Sequence, residues 1–395
     1  MTRPRSAAEA SPRLEGIEAL RALAALGVLS WHVWSHPVVD SNYGVSVGPL
    51  TKLFDNGRAG VAMFFVLSGF LLYRPFAAAI VRGTRCPSIR RYFINRVLRI
   101  LPAYWVVLLV VAACFQRGLL DRPLQLLANM LFLQDFVPSY VPGVFTGYGI
   151  APAWSLCVEV IFYLALPLLA LVGLKLYRRG VAPTAAALAP PALMLVSGVV
   201  SLEVPRATHL GALWEMGFPD HMHWFALGMF VAVARVLYED GRLKVTRALR
   251  ISIGGAAIII AAGTLKLAYG GTLRFEEEES LLSVSCALVL ALVVLPPARS
   301  LLVRMLAWPP FVYLGLISYS IFLWHEPVLR FLREQGLTAG GTAGFGLDLV
   351  TLTAITLVLA TLTYVLVERP ALSAKDALGP VQPRPEPAEW SRSAP

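Results

Sequence analysis

Arg21 and His32 stand eleven residues apart in the apolar segment LRALAALGVLSWHVW, Leu20 to Trp34. At 100° and 1.5 Å per residue, that spacing is three helical turns plus about 20°, with a rise of roughly 16 Å, so both side chains share one face. An arginine on such a face can fork onto phosphate or carboxylate oxygens. A histidine further along it can take or give a proton near neutral pH. Each also has a simpler account: Arg21 can snorkel to a membrane interface without a partner, and His32 can sit at an interface between Trp31 and Trp34. Glu18, three residues before Arg21, is a possible partner for it on the same helix.

Further polar residues in apolar runs bear on the choice. The stretch SIRRYFINRVLRILPAYW sets Arg90, Arg91, Arg96 and Arg99 at the mouth of a later run, with Arg96 and Arg99 on one face. They can be a plain topology signal, or guanidinium groups deep enough to need an anionic partner. In APAWSLCVEVIFY, Glu159 lies about two turns into a run, with Trp154 and Ser155 at its start and Tyr163 one turn beyond on the same face. A carboxylate there must be paired or protonated, because the isolated charge is too costly. It can serve chemistry or simply balance an arginine. ISYSIFLWHEP puts His325 just before Pro327 near the end of a run, and VERP, Val367 to Pro370, closes the last run with a helix-stopping proline. His221 and His223 in PDHMHWFALGMF point to different faces at i, i+2, and no cysteine or carboxylate completes a zinc set, so they read as solvated histidines at a helix entrance. The acidic run Glu276 to Glu279 reads as a solvated loop. Cys86, Cys114, Cys157 and Cys286 show neither a disulfide framework nor a metal spacing.

The elements that must position these groups are membrane helices. The 395-residue chain is 57% hydrophobic and only 15% charged, too apolar for an ordinary soluble domain. Runs near 17 to 34, 59 to 80, 97 to 115, 153 to 174, 183 to 202, 222 to 238, 250 to 269, 280 to 297, 309 to 329 and 346 to 367 are each long enough to span a bilayer. The expected fold is therefore all-α and polytopic, with about ten transmembrane helices, and Leu124 to Phe136 as an interfacial or re-entrant helix. Cytoplasmic termini place 24 of the 34 lysines and arginines inside and 9 in outside loops, with Arg21 within the first span, as the positive-inside rule requires. The net charge of +10 is thus used for orientation, which removes the main support for a nucleic-acid partner. No small-residue cleavage site follows the first span, so it is expected to be retained. Residues 1–13 and the Pro-rich 371–395 read as disordered tails around a membrane domain at 14–370.

In this order the motifs resemble the acyltransferase-3 family of integral membrane O-acyltransferases, which includes O-antigen acetylases and macrolide acyltransferases. Arg21 and His32 match its arginine, ten residues, histidine signature; FFVLSGF (Phe64 to Phe70) contains Ser68; Arg96 and Arg99 match RxxR; Trp154 through Tyr163 match WSLxxExxFY. Ser318 to Pro327, with Ser318, Tyr319 and His325, match SYxxYLxHxP, except that Phe322 replaces the usual tyrosine. The resemblance implies a multi-pass protein of the inner (cytoplasmic) membrane that moves an acyl group from acyl-CoA to a hydroxyl on a glycan, glycolipid or secondary metabolite. It implies no permanently bound cofactor. His32 would be the general base. Glu159 would orient it, balance its charge, or act as a second acid or base. Arg21, Arg96 and Arg99 would hold the donor, whose phosphates belong in the cytosol. Some family members carry a fused hydrolase-like domain; the short stretch after the last span implies transfer by the membrane domain alone or with a separate partner.

Two other classes fit buried charges: a transporter or flippase for an acylated or glycosylated compound, and a polytopic scaffold whose charges pair with one another. Release of CoA separates all three. The acceptor, the acyl length and the oligomeric state are not legible in the residues.

Overall fold

A computed structural model describes residues 16–35, 54–136, 149–203, 217–269, 271–295, 300–339 and 341–377. The expected tail at 1–13 lies outside them, as does 378–395 of the Pro-rich end. Among the described residues there is no strand. The helices are α1 (Ile17–Ser35), α2 (Ala59–Arg82), α3 (Ile89–Val110), α4 (Pro123–Met130), α5 (Trp154–Arg178), α6 (Pro183–Ser201) and α7 (Phe218–Glu239). They continue as α8 (Arg247–Tyr269), α9 (Phe275–Val294), α10 (Leu301–Leu306), α11 (Pro309–Leu316), α12 (Ser318–Glu334), α13 (Gly341–Thr363) and α14 (Arg369–Ala377). The last helix runs past residue 370, where the Pro-rich tail was expected to begin.

Among the described residues, six helical stretches are long and apolar enough to cross a membrane, and seven if α11 and α12, bent by 67° at Ile317, form one broken span. α1, α7 and α9 coincide with three more of the expected spans but fall outside that set. They carry the ionisable residues the sequence singles out: Glu18, Arg21 and His32 on α1, Asp220, His221 and His223 on α7, and Glu276 to Glu279 on α9. Polar groups lower a helix's mean hydropathy whether or not the fold buries them.

α1 is a central helix. Ten of its residues, from Ile17 to Val33, are buried, and it packs against α2, α11, α12 and α13. An apolar helix buried on several faces has no lipid-facing stripe to fix its position, so its polar side chains must find partners on its neighbours. α8 and α13, with long exposed apolar rows such as Ile258, Ile259, Val350 and Val358, lie at the periphery.

Close packing of α2 on α7 builds the wall behind the site. Phe65 on α2 stacks on Phe225 of α7 at 4.5 Å, and Phe225 stacks on Phe162 of α5 at 4.2 Å. The crossing is possible because Gly69 and Gly228 face each other's helices: a Cβ on Gly228 would overlap the Val66 carbonyl, and one on Gly69 the Phe225 carbonyl. Membrane helices use small residues in this way, since packing replaces the hydrophobic drive lost in lipid.

Gly228→Ala should therefore cost about 3 kcal/mol through overpacking. Gly255→Ala on α8, with nothing within 4 Å of the added Cβ, should be neutral or stabilising. Melting temperatures of the two variants in detergent check the contrast.

Candidate active site

The face shared by Arg21 and His32 is turned toward α12. Arg21 Nε donates to Ser318 Oγ at 3.2 Å, and His32 Nδ1 lies 3.2 Å from His325 Nε2. The two α12 residues are seven apart, a rise of about 10 Å against roughly 16 Å on α1. The long arginine side chain, lying along the helix, takes up the difference.

Both histidines are buried, at 6% and 0% exposure, with ring centroids 4.7 Å apart. His32 Nδ1 also lies 2.9 Å from the Val28 carbonyl, and His325 Nδ1 lies 3.2 Å from the Ile321 carbonyl. A carbonyl can only accept, so each Nδ1 carries the proton when the rings are neutral. This tautomer assignment rests on the bonding partners. The His325 Nε2 lone pair then faces the His32 Nδ1–H, and the His32 Nε2 lone pair is the basic one. His325, which the motif alone left without a role, thus orients His32.

A level away along the same helices, a cavity of about 100 Å³ is lined by Arg21, Arg96, Arg99, Ser68, Ser155, Glu159, Tyr163, Tyr319, Phe64 and Phe322, among others. Glu159 accepts a short hydrogen bond from Ser68, and Tyr163 lies one turn along the same helix. The Arg96 guanidinium lies 5.9 Å from the centre of the Tyr163 ring. Tyr319 donates to the Ile100 carbonyl at 3.0 Å, and Ser155 to that of Pro152 at 3.0 Å. Trp154 is set back from these polar groups, packed on Phe65 and His221 at 6.5 and 5.3 Å. Phe64 and Phe322, in edge contact at 6.0 Å, form the end of the cavity nearest the histidines, and Phe322 touches His325 at 5.7 Å. The aromatic ring at position 322 therefore separates the arginine cavity from the histidine pair.

Several expectations change. Glu159 is bonded to Ser68, because α5 packs against α2 and α3, while α12 lies against His32. His221 and His223 are buried, each 4% exposed, with His221 on the Gly217 carbonyl at 2.8 Å and His223 on Ser280 at 2.9 Å. They are packed rather than solvated because α7 lies inside the bundle, against α2, α6 and α9. The acidic run is not simply solvated either: Glu278 and Glu279 lie 2.6 and 4.0 Å from the buried Arg58. Among the described residues no cluster of three or more His, Cys, Asp or Glu could hold a metal.

The anionic partner that Arg99 needs is Glu368, whose carboxylate oxygen lies 3.4 Å from the guanidinium and which also accepts from Ser320 at 2.5 Å. Glu368 is 2% exposed and ends a π-helical turn, Tyr364–Glu368. Such turns recur at functional sites. Its place in VERP suggests only a helix stop; the signal available was an ionisable residue at the end of an apolar run. Arg99 ties α3 to the end of α13, and Arg21 ties α1 to α12.

Glu368→Gln should destabilise the protein by roughly 3 kcal/mol, because it leaves Arg99 without its buried counter-charge. Adding Arg99→Leu should recover most of that loss. A double-mutant cycle on thermal unfolding measures the coupling, and independent, additive effects would show that the pair is only a proximity.

The sequence profile of the acyltransferase-domain family matches residues 14–366, which hold every residue of the cavity and the histidine pair. The chain is 26% identical over 387 residues to a Bacillus subtilis protein named as a peptidoglycan O-acetyltransferase, YrhL, covering 90% of this chain and 54% of that one. It is 26% identical over 397 residues to the acyltransferase MdmB of Streptomyces mycarofaciens, covering 95% and 96% of the two chains. It is 24% identical over 345 residues to the O-acetyltransferase OatA of Staphylococcus aureus, covering 82% and 52%. It thus spans about half the length of YrhL and OatA and nearly all of MdmB. No solved structure matches it. With the family's arginines around one cavity and its histidines paired beside it on a helical membrane scaffold, the chain belongs to the acyltransferase-3 family of membrane acyltransferases.

Proposed function

We propose that this protein is an inner-membrane O-acyltransferase that uses acyl-CoA as donor and acylates a hydroxyl of a glycan, glycolipid or macrolide-like acceptor. The observation that carries the reading is the buried His32–His325 pair, set beyond an arginine-lined cavity on the same two helices. In this reading α1, α7 and α9 also cross the membrane, giving ten spans with cytoplasmic termini, and the arginine level faces the cytosol. The relatives named as O-acetyltransferases support hydroxyl acylation.

Arg96 and Arg99 take the CoA phosphates, whose oxygens suit guanidinium forks. Arg21, bonded to Ser318, extends the positive path toward His32. The thioester travels along the α1 face to the histidine pair, and the Phe322 ring turns aside to admit it. His32 Nε2 removes the proton from the acceptor hydroxyl as its oxygen attacks the thioester carbonyl. The carbon–sulfur bond breaks, and the CoA thiolate recovers the proton from His32. His325 Nε2 accepts the His32 Nδ1–H throughout, so it holds the ring in the reactive tautomer and steadies the imidazolium. This is the part an aspartate plays in hydrolase triads, here filled by a neutral acceptor. A transporter would instead move its substrate with no release of CoA.

Wild type and His32→Ala at equal membrane levels, given labelled acyl-CoA and candidate acceptors, test the assignment. The variant should lose at least about a hundredfold in label transfer, and undiminished transfer would remove His32 from the role of base. For His325, replacement by glutamine keeps an acceptor oxygen near Nδ1–H and should retain much of kcat, whereas His325→Phe should lower kcat by at least about tenfold at constant acyl-CoA KM. Equal loss in both variants would point to packing alone. Arg96→Ala and Arg99→Ala should raise the acyl-CoA KM, and less so at high salt, which screens the attraction they remove.

A further inference from the structure

Glu326 follows His325 on α12, is 1% exposed, and has no hydrogen-bond partner for either carboxylate oxygen. Other buried or nearly buried carboxylates each have one: Glu159 has Ser68, Glu368 has Ser320, Asp220 has Ser201 at 2.7 Å, and Asp348 has the Ala339 amide at 2.9 Å. Arg330, one turn further along α12, is bonded to Glu334 at 3.0 Å. The Ala151 amide faces Glu326 without closing a hydrogen bond of normal geometry.

A second orphan lies against the same short turn, Ala151–Ala153, on which α12 packs. Gln134 donates its amide nitrogen to the Ala153 carbonyl at 3.4 Å, and its own oxygen is buried without a partner. Three acceptor oxygens are therefore buried in the protein without a hydrogen bond of normal geometry. Buried polar atoms are nearly always satisfied, and leaving them unmade costs free energy that a fold retains for a reason. The missing complement is a ligand rich in O–H or N–H donors. An anion such as a CoA phosphate would be repelled by the carboxylate, and an apolar chain would leave the oxygens as they are.

Position defines the ligand further. Glu326 follows His325, whose Nε2 is 3.2 Å from His32, so its Cα is about 3.8 Å from that of the orienting residue, with its side chain about 100° further around α12. It stands on the other side of Phe322 from the arginine cavity, where the donor's charged end belongs. We infer that Glu326, supported by Gln134, is an acceptor-binding residue that takes the hydrogens of neighbouring hydroxyl groups on a neutral, sugar-like substrate and so presents one hydroxyl to His32. The inference rests on the acyl-transfer reading and adds the site that recognises the acceptor. Two oxygens of one carboxylate suit a pair of adjacent hydroxyls, as they suit the paired donors of an arginine.

The test uses the full-length protein in detergent with labelled acetyl-CoA and three uncharged probes: methyl chitobioside, methyl rhamnoside and a macrolide with a neutral sugar. Glu326→Gln should raise the acceptor KM by about tenfold or more, with the acetyl-CoA KM within twofold of wild type. A probe lacking the hydroxyl next to the acylated one should lose the same factor with wild type and nothing further with the variant. Glu326→Leu should bind acceptor as poorly and melt at an equal or higher temperature, because it removes an unsatisfied buried carboxylate. An unchanged acceptor KM in Glu326→Gln, a marked fall in melting temperature of Glu326→Leu, or labelling of none of the three probes would each overturn the inference. A wild type that consumes no acetyl-CoA defeats the transferase reading itself. Loss of consumption in His32→Ala beside an unaffected Glu326→Gln defeats only the acceptor site.

Discussion

The structure depends on one constraint: ionisable side chains on a central, buried helix must be satisfied by other helices. α1 carries Arg21 and His32 into the bundle, where His32 is buried and Arg21 half-buried. Each is met by α12, through Ser318 and His325. The same need recurs around them. Arg99 draws Glu368 from the end of α13, Glu159 takes Ser68 from α2, and Arg58 draws Glu278 from α9. In an apolar medium these pairings are worth more as specification of helix partners than as stability, since desolvation offsets much of their attraction.

Satisfying the charges in this way separates them into two levels. Three arginines and Glu159 surround one cavity, while the histidines form a pair with its own internal hydrogen bonds. Phe322 stands between, at the position where the resembled motif has tyrosine. An aromatic ring without a hydroxyl leaves the partition apolar, so the polar groups on either side are not joined by a hydrogen-bonded chain through that residue. A donor with a charged head and a long neutral arm can bridge such a partition; a small hydrophilic molecule meets an apolar barrier. This asymmetry is what distinguishes a transfer site from a continuous polar path across the bundle.

Much of the outline was legible along the chain because it is local. Long apolar runs require helices in lipid, where the backbone must satisfy itself, and most of the expected spans are helices here. The shared face of Arg21 and His32 follows from helical periodicity, and the two do project toward one neighbour. That Glu159 bonds to Ser68 of α2 was not legible, because a motif orders residues along a chain and says nothing about which helices touch. The reading of His221 and His223 as solvated, and of Glu276 to Glu279 as a loop, failed for a related reason. Polarity at a helix end looks the same in sequence whether a neighbouring helix covers it or water does. α7 is covered on several sides, and Arg58 reaches the start of α9.

The sequence by itself determined that the chain is helical and membrane-bound, that Arg21 and His32 lie three turns apart on one face, and that Arg96 and Arg99 share another. Each is a property of one helix, fixed by 3.6 residues per turn. Only the tertiary structure decided that His325, 293 residues away, is the partner of His32, that Glu368 answers Arg99, and that Glu326 is left with nothing to bind. Those outcomes depend on how helices cross. The crossings are set by close contacts such as Gly69 and Gly228 between α2 and α7, and by the 67° bend at Ile317 that turns α12 onto α1.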